Sequence, residues 1–331
     1  MNTTTHLDAI SVFIFIGVFQ GLILSFFFIL KSSSAIKANL FQGLLLLSLT
    51  LCILEQFLNI SGYITRILVI TNFTEPLNLT IGPFLYLFIK RSIDPSESKK
   101  DWIHFILASL YLCYLTFDLI QPNDFKYNTY LYSFHPDWPR LVVNTTIPND
   151  PLNIKKWLNL ATGIHLTIYT SLAFILLYKK GKQSGETIFI TSDEILRSLR
   201  NMVYHISVVV LIFIIVKLTF KADLGDYYIG TYVSVFILIT TFRVMNDSEY
   251  FNRTTSFMDL SIGKYQKSSL TESNKLKILN NILLELETKQ YFSDNLASLS
   301  ELAKKIGESP HHVSQVMNEK LNNYNYKGFI R

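Results

Sequence analysis

Ala9-Ile-Ser-Val-Phe-Ile-Phe-Ile-Gly-Val-Phe-Gln-Gly-Leu-Ile-Leu-Ser-Phe-Phe-Phe-Ile-Leu30 runs for 22 residues without a charge. A helix rising about 1.5 Å per residue crosses a hydrocarbon core of about 30 Å in that length. No basic stretch precedes it, and it exceeds the roughly 7–15 apolar residues of a signal peptide, so it is expected to stay in the mature chain. Working outward, further apolar runs occupy 40–60, 68–89, 102–120, 157–178, 202–220 and 227–245. The expected fold is therefore all-α, with a seven-helix transmembrane bundle over 1–245. The run at 68–89 is the most polar, because Thr71, Asn72, Thr74, Glu75, Pro76 and Asn78 dilute its outer half.

Composition agrees with that reading. Of 331 residues, 49% are hydrophobic, 14% aromatic and 17% charged, against about 25% charged in a soluble domain. Mean hydropathy is +0.28. These values exclude a disordered chain, a coiled coil and a disulfide scaffold. Cys52 and Cys113 both lie in apolar runs and read as small hydrophobes, not as a bridge or a metal pair.

Lys and Arg set the orientation, since cytoplasmic loops are enriched in them. Segments 31–39, 90–101 and 179–201 carry 11 Lys and Arg in 44 residues, while 1–8, 61–67, 121–156 and 221–226 carry 6 in 57. The first set is expected inside a bacterial cell membrane, with the N-terminus outside. Seven crossings then put everything after Met245 in the cytoplasm. The outer loop 121–156 holds Tyr127, Tyr130, Tyr132 and Trp138 among five prolines, and is expected either to cap a ligand cavity or to form an interfacial aromatic belt. Within the spans, Gln20, Glu55, His165 and Lys217 are the polar groups that call for an explanation. Glu55 and Lys217 lie near outer boundaries, where snorkelling to headgroups would satisfy them. His165 is deeper, and fits a hydrogen-bonded bundle residue or a ligand contact.

From Asn246 the character of the chain changes. Residues 246–270 read as a polar cytoplasmic linker, and Leu276, Leu279, Leu283 and Leu286 then give a helical stripe. Ser298 with Glu301 fits a capping box that starts a helix at Leu299. Its buried face is Leu299, Leu302, Ala303 and Ile306. Gly307 stops it, because a residue without Cβ takes the left-handed backbone of a tight turn. Ser309 then reads as an N-cap with Pro310 in the first helical position, and Val313, Val316 and Met317 return an apolar face. Two short helices about a glycine turn, with small Ala303 at their crossing, describe a helix-turn-helix.

Three stretches here, Tyr265-Gln-Lys-Ser-Ser-Leu270-Thr-Glu, Leu299-Ser-Glu-Leu-Ala303 and Ser309-Pro-His-His-Val-Ser-Gln-Val-Met-Asn318, resemble AraC/XylS-type transcription regulators. More narrowly they resemble the bacterial subgroup that carries this domain behind an N-terminal multi-pass membrane region. Ile81-Gly-Pro-Phe-Leu-Tyr-Leu87 and His104-Phe-Ile are similar to that subgroup too. The resemblance implies a membrane-tethered, sequence-specific regulator of promoter DNA that works as a dimer, with 271–331 a partial DNA-binding domain. It also implies a second helix-turn-helix after a long connecting helix. The sequence reaches Phe329-Ile-Arg331 about where that helix would begin, so a truncated domain is expected.

On such a motif the second helix enters the major groove and its early residues face base edges. The residues pointing away from Val313, Val316 and Met317 are His311, His312, Ser314, Gln315 and Asn318. Gln and Asn pair bidentately with adenine, and His donates or accepts at a base or phosphate. Gln315 is the foremost base reader, and Ser309 with the helix's first N–H groups would hold a phosphate. Polar residues on an exposed helix face are otherwise simply solvated. The tail from Asn246 carries 11 Lys and Arg against 10 Asp and Glu, so it is no general polyanion binder.

No H-E-x-x-H, P-loop, G-x-S-x-G or kinase signature occurs, so no enzyme activity and no cofactor is expected. Adjacent His311 and His312 point about 100° apart on a helix and make a poor metal pair. The competing class is a multi-pass receptor or transporter whose truncated tail no longer binds DNA. A retinal protein is disfavoured, because 227–245 contains no Lys for a Schiff base.

Overall fold

Helix α1 (Ala9–Leu30) is inside out by the standard of a soluble protein. Ser11, Gly17, Gly21 and Ser25 are buried, while Phe15, Phe19, Ile23 and Phe26 are about half exposed and Leu30 is 82% exposed. Small residues let helix backbones approach each other, and large apolar side chains facing outward suit hydrocarbon as the surroundings. Asp8 begins the helix as a capping box. Its carboxylate accepts the Ser11 N–H at 2.7 Å, and Ser11 Oγ accepts the Asp8 N–H at 3.0 Å.

The computed structural model describes residues 5–32, 37–96, 100–145, 147–185, 187–191, 193–246, 272–287 and 299–320. Among these it is all-helical, with no strand. The chain divides into two units, residues 1–252 and 253–331. In the first, α2 (Lys37–Ile60) and α3 (Glu75–Ile93) follow α1. Next come a 3-10 turn over Asp101–Phe105, α4 (Ile106–Tyr114), α5 (Thr116–Leu119) and α6 (Asn123–Phe134). The long helices α7 (Lys155–Gln183), α8 (Glu194–Thr219) and α9 (Asp226–Asn246) complete it.

Six stretches are long and apolar enough to cross a membrane: α1, α2, Asp101–Leu119, α7, Ile195–Thr219 and Asp226–Met245. The expected span over 68–89 is not among them. Leu68–Ile70 forms a single 3-10 turn, Asn72 takes a left-handed φ of 64°, and the helix starts only at Glu75. The reason for its weaker hydropathy is its position. No residue of α3 is exposed, since α2 and α7 flank it and α4 packs alongside. A helix walled by protein need not be apolar on every side. The fourth run is also less regular than expected, being broken into the 3-10 turn, α4 and α5.

Small residues set the crossings. A Cβ on Gly17 would come within 2.9 Å of the Ser234 Cα on α9, and one on Gly43 within 2.9 Å of the Ser25 carbonyl of α1. Gln20 Nε2 donates to Thr241 Oγ1 at 3.1 Å across the α1–α9 contact. Gly17→Leu is expected to push α1 off α9 and cost about 1–3 kcal/mol. Thermal unfolding in detergent checks this, and a melting curve superimposed on that of the wild type would disprove the close approach.

The loop 121–156 contains α6, whose Tyr130 and Leu131 bury against Ile64. Trp138 stacks on His135 with centroids 4.2 Å apart. Asp150 then anchors the start of α7. Its carboxylate accepts the Tyr114 hydroxyl at 2.5 Å and the N–H groups of Ile154 at 2.8 Å and Lys155 at 3.2 Å. Burial pushes that carboxyl up, but the three donors outweigh it and hold it below the usual carboxylate range.

The second unit is described as α10 (Glu272–Glu287), α11 (Leu299–Lys305) and α12 (Pro310–Lys320) around a core of Ile278, Ile282, Leu302, Ala303, Val313 and Val316. The expected stripe on α10 is corrected here. Leu276 is 52% exposed, and Ile278 and Ile282 are buried in its place, with Leu279 partly buried. Apolar residues cover most of this helix's circumference, so packing against α11 and α12 selects the face and spacing alone does not. Leu286 lies outside the described side chains.

Candidate functional site

In the second unit the turn between α11 and α12 is closed by backbone bonds. Gly307, at φ +71°, donates its N–H to the Lys304 carbonyl at 3.3 Å, and the Glu308 N–H reaches the Ala303 carbonyl at 2.9 Å. Together these are the paired bonds of a Schellman stop, which satisfies helix-end carbonyls and needs the left-handed residue that Gly307 provides. Two residues later Ser309 caps α12, its Oγ accepting the His312 N–H at 3.1 Å. Leu302 and Ala303 of α11 and Val313 and Val316 of α12 are then brought together, with Ala303 fully buried between the helices. The expected capping box falls on Ser298 and the side chains of Leu299 and Glu301, which lie outside the described residues.

Of the residues expected to face a base or phosphate, Ser309 is exposed, and Ser314 and His312 are half-buried. The His312 ring reaches back to Glu308, Nδ1 to Oε2, at 3.3 Å. His311, Gln315 and Asn318 belong to α12, but their side chains lie outside the described residues.

The first unit offers a different kind of site. At the end where α2 and α8 finish and α3, α7 and α9 begin, a cavity of about 160 Å³ opens. Its apolar side is Leu49, Ile53, Ile81, Leu166, Val209 and Val233. Its polar side carries Glu55, Gln56, Glu75, Lys217, Asp223 and Asp226. Phe134 of α6 also lines it, so the 121–156 loop does contribute to a cavity wall, though not through the tyrosines or Trp138.

Glu55 and Lys217 do not snorkel. Glu55 is 7% exposed, and its carboxylate accepts the N–H groups of Asn72 at 2.6 Å and Thr74 at 3.1 Å, together with the Thr74 hydroxyl. Those are donors just ahead of α3, so a side chain of α2 caps the neighbouring helix. Lys217 Nζ donates to Asp223 at 2.8 Å and to Asp226 at 2.7 Å. Sequence reasoning passed over both aspartates, although their places six and nine residues after Lys217 are close enough in the chain to have signalled a bracketed lysine. The Glu55 cap has no such signal, since it joins separate helices.

Nearby, Glu75 accepts the Tyr111 hydroxyl at 2.6 Å, and Lys155 pairs with Asp118 at 2.5 Å. Cys52 donates its S–H to Asn78 Oδ1 at 3.2 Å, and both cysteines are free thiols. His165 lies beside Tyr169 on α7. Its Nδ1 is buried without a partner, while its ring lies 4.7 Å from that of Tyr169, whose hydroxyl meets His104 Nδ1 at 3.0 Å. No family model, characterised protein or solved structure matches the chain.

Proposed function

We propose that this chain is a membrane-anchored, one-component transcription regulator of the AraC type, with a seven-helix bundle as sensor and a cytoplasmic helix-turn-helix as DNA reader. The observation that carries the reading is the α11–α12 pair: a glycine Schellman stop, a serine-capped second helix and a shared core with α10. Those features bring α12 forward as a recognition helix whose N-terminal half meets base edges. Seven crossings are supported by α3, which at 19 residues is about 28 Å long and is buried among helices. An odd number of crossings keeps the tail on the same side as the lysine- and arginine-rich segments, which is the cytoplasm of a bacterial cell. Two copies would present two recognition helices to half-sites about 34 Å apart.

Binding of promoter DNA by the full chain in nanodiscs, read by gel shift, is the direct test. Gln315→Ala is expected to cost about 1–3 kcal/mol and to relax preference at one base pair. An unchanged profile across operator variants would remove Gln315 as a base reader. Regulation is tested in cells, where a chain cut after Met245 and the full protein should give different promoter output. Equal output would exclude regulation through the tail.

A further inference from the structure

A larger pocket, of about 430 Å³, lies at the opposite end of the membrane unit, where α1 and α9 finish and α2 and α8 begin. Phe27 in the last turn of α1, Met202 of α8 and Phe236 of α9 give it an apolar wall. Its polar lining includes Gln42 near the start of α2, Ser198 near the start of α8 and Arg243 in the last turn of α9. Because α9 packs against α1, α2 and α8, the bundle itself brings these groups to one place.

Hydrogen-bond donors here have nothing to meet. Among the described residues no carboxylate lines the pocket, and the side chains of Gln42, Ser198 and Arg243 make no hydrogen bond or ion pair. Other cations of the bundle are matched. Arg91 pairs with Asp101, Arg200 donates to the Ile188 and Phe189 carbonyls, and Lys217 is held by two aspartates. A guanidinium on an apolar helix in a membrane is costly, so one left unmatched beside a pocket marks a ligand position. The other polar groups on the wall are already engaged. Thr240 donates its hydroxyl to the Phe236 carbonyl at 2.8 Å, and His205 Nδ1 meets the Tyr232 hydroxyl at 3.1 Å. Charge and shape then select one chemistry. A guanidinium fork matches a phosphate or carboxylate bidentately, an amide and a hydroxyl add further donors, and the apolar wall suits hydrocarbon. We propose that this pocket binds an anionic amphiphile, its phosphate or carboxylate head held by Arg243, Gln42 and Ser198 and its alkyl chain laid against Phe27, Met202 and Phe236. The occupant would touch α9, which leads into the segment before the second unit, and so favour one packing of the bundle over another. A part in signalling rests on the regulator reading above; the binding itself does not.

The anionic head can belong to a free single-chain amphiphile or to a membrane phospholipid, and the test separates these. Full-length protein is placed in phosphatidylcholine nanodiscs, which carry no net charge, and titrated with dodecyl phosphate, dodecanol or dodecyltrimethylammonium while thermal unfolding is followed. Saturable stabilisation by dodecyl phosphate alone is expected, and Arg243→Gln is expected to weaken it about tenfold. Discs containing phosphatidylglycerol identify the phospholipid as the source if they stabilise the wild type, spare Arg243→Gln and suppress the dodecyl phosphate response. If dodecyl phosphate acts no differently from dodecanol and phosphatidylglycerol adds no stability, the site is overturned, and this wild-type comparison holds even should Arg243→Gln fold poorly. Equal stabilisation of wild type and Arg243→Gln would reflect charging of the bilayer alone and would overturn it too. Gel shift on the same sample keeps the two readings apart. A chain that binds dodecyl phosphate but no DNA loses the regulator function alone, and one that binds DNA but no anionic amphiphile loses only this site.

Discussion

Val313→Asp is expected to unfold the tail unit and abolish promoter binding, while the membrane unit keeps its own thermal transition. Val313 is fully buried, and the carboxylate would be enclosed by Ile278, Ile282, Leu302, Ala303 and Val316. An unpaired charge in such a core costs several kcal/mol even after relaxation. A unit of three short helices has little to set against that loss, because a small domain buries a modest share of its surface. Limited proteolysis of the full chain in nanodiscs would show cleavage between 272 and 320 in the variant and protection in the wild type. Gel shift would show promoter binding only in the wild type. If the two proteins were digested alike, the α10–α11–α12 core would not be the element that orders this unit.

How far the sequence reveals the molecule depends on which force positions a residue. Long charge-free runs are set by the solvent around them, so α1, α7 and the stretch 226–245 are legible in composition. The α11–α12 turn is equally legible, because Gly307 and Ser309 act on their own backbone within a few residues. Hydropathy underrates α3, since it measures fitness for lipid and no residue of α3 is exposed. It also fails on α10, where Leu276 and Ile278 are equally apolar and only the partner helices choose between them. The cavity is the least legible feature. Its wall gathers Glu55, Glu75, Lys217 and Asp226 from four helices, and no local pattern records that meeting.

Lys217 is where those two kinds of information meet, and its replacement carries the second large effect. Lys217→Met is expected to destabilise the membrane unit by about 3 kcal/mol, because removing one partner of a sequestered ion pair leaves the other without compensation. The side chains of Lys217 and Asp226 are 13% and 17% exposed, so water replaces little of the lost interaction there. Asp223, at 37%, turns to solvent more easily and contributes less. Adding Asp226→Asn to Lys217→Met should therefore recover most of the stability, whereas Asp223→Asn should recover little. Thermal unfolding of the three variants in nanodiscs measures this, and equal melting of Lys217→Met and wild type would mean that the ammonium is solvated at the headgroups after all.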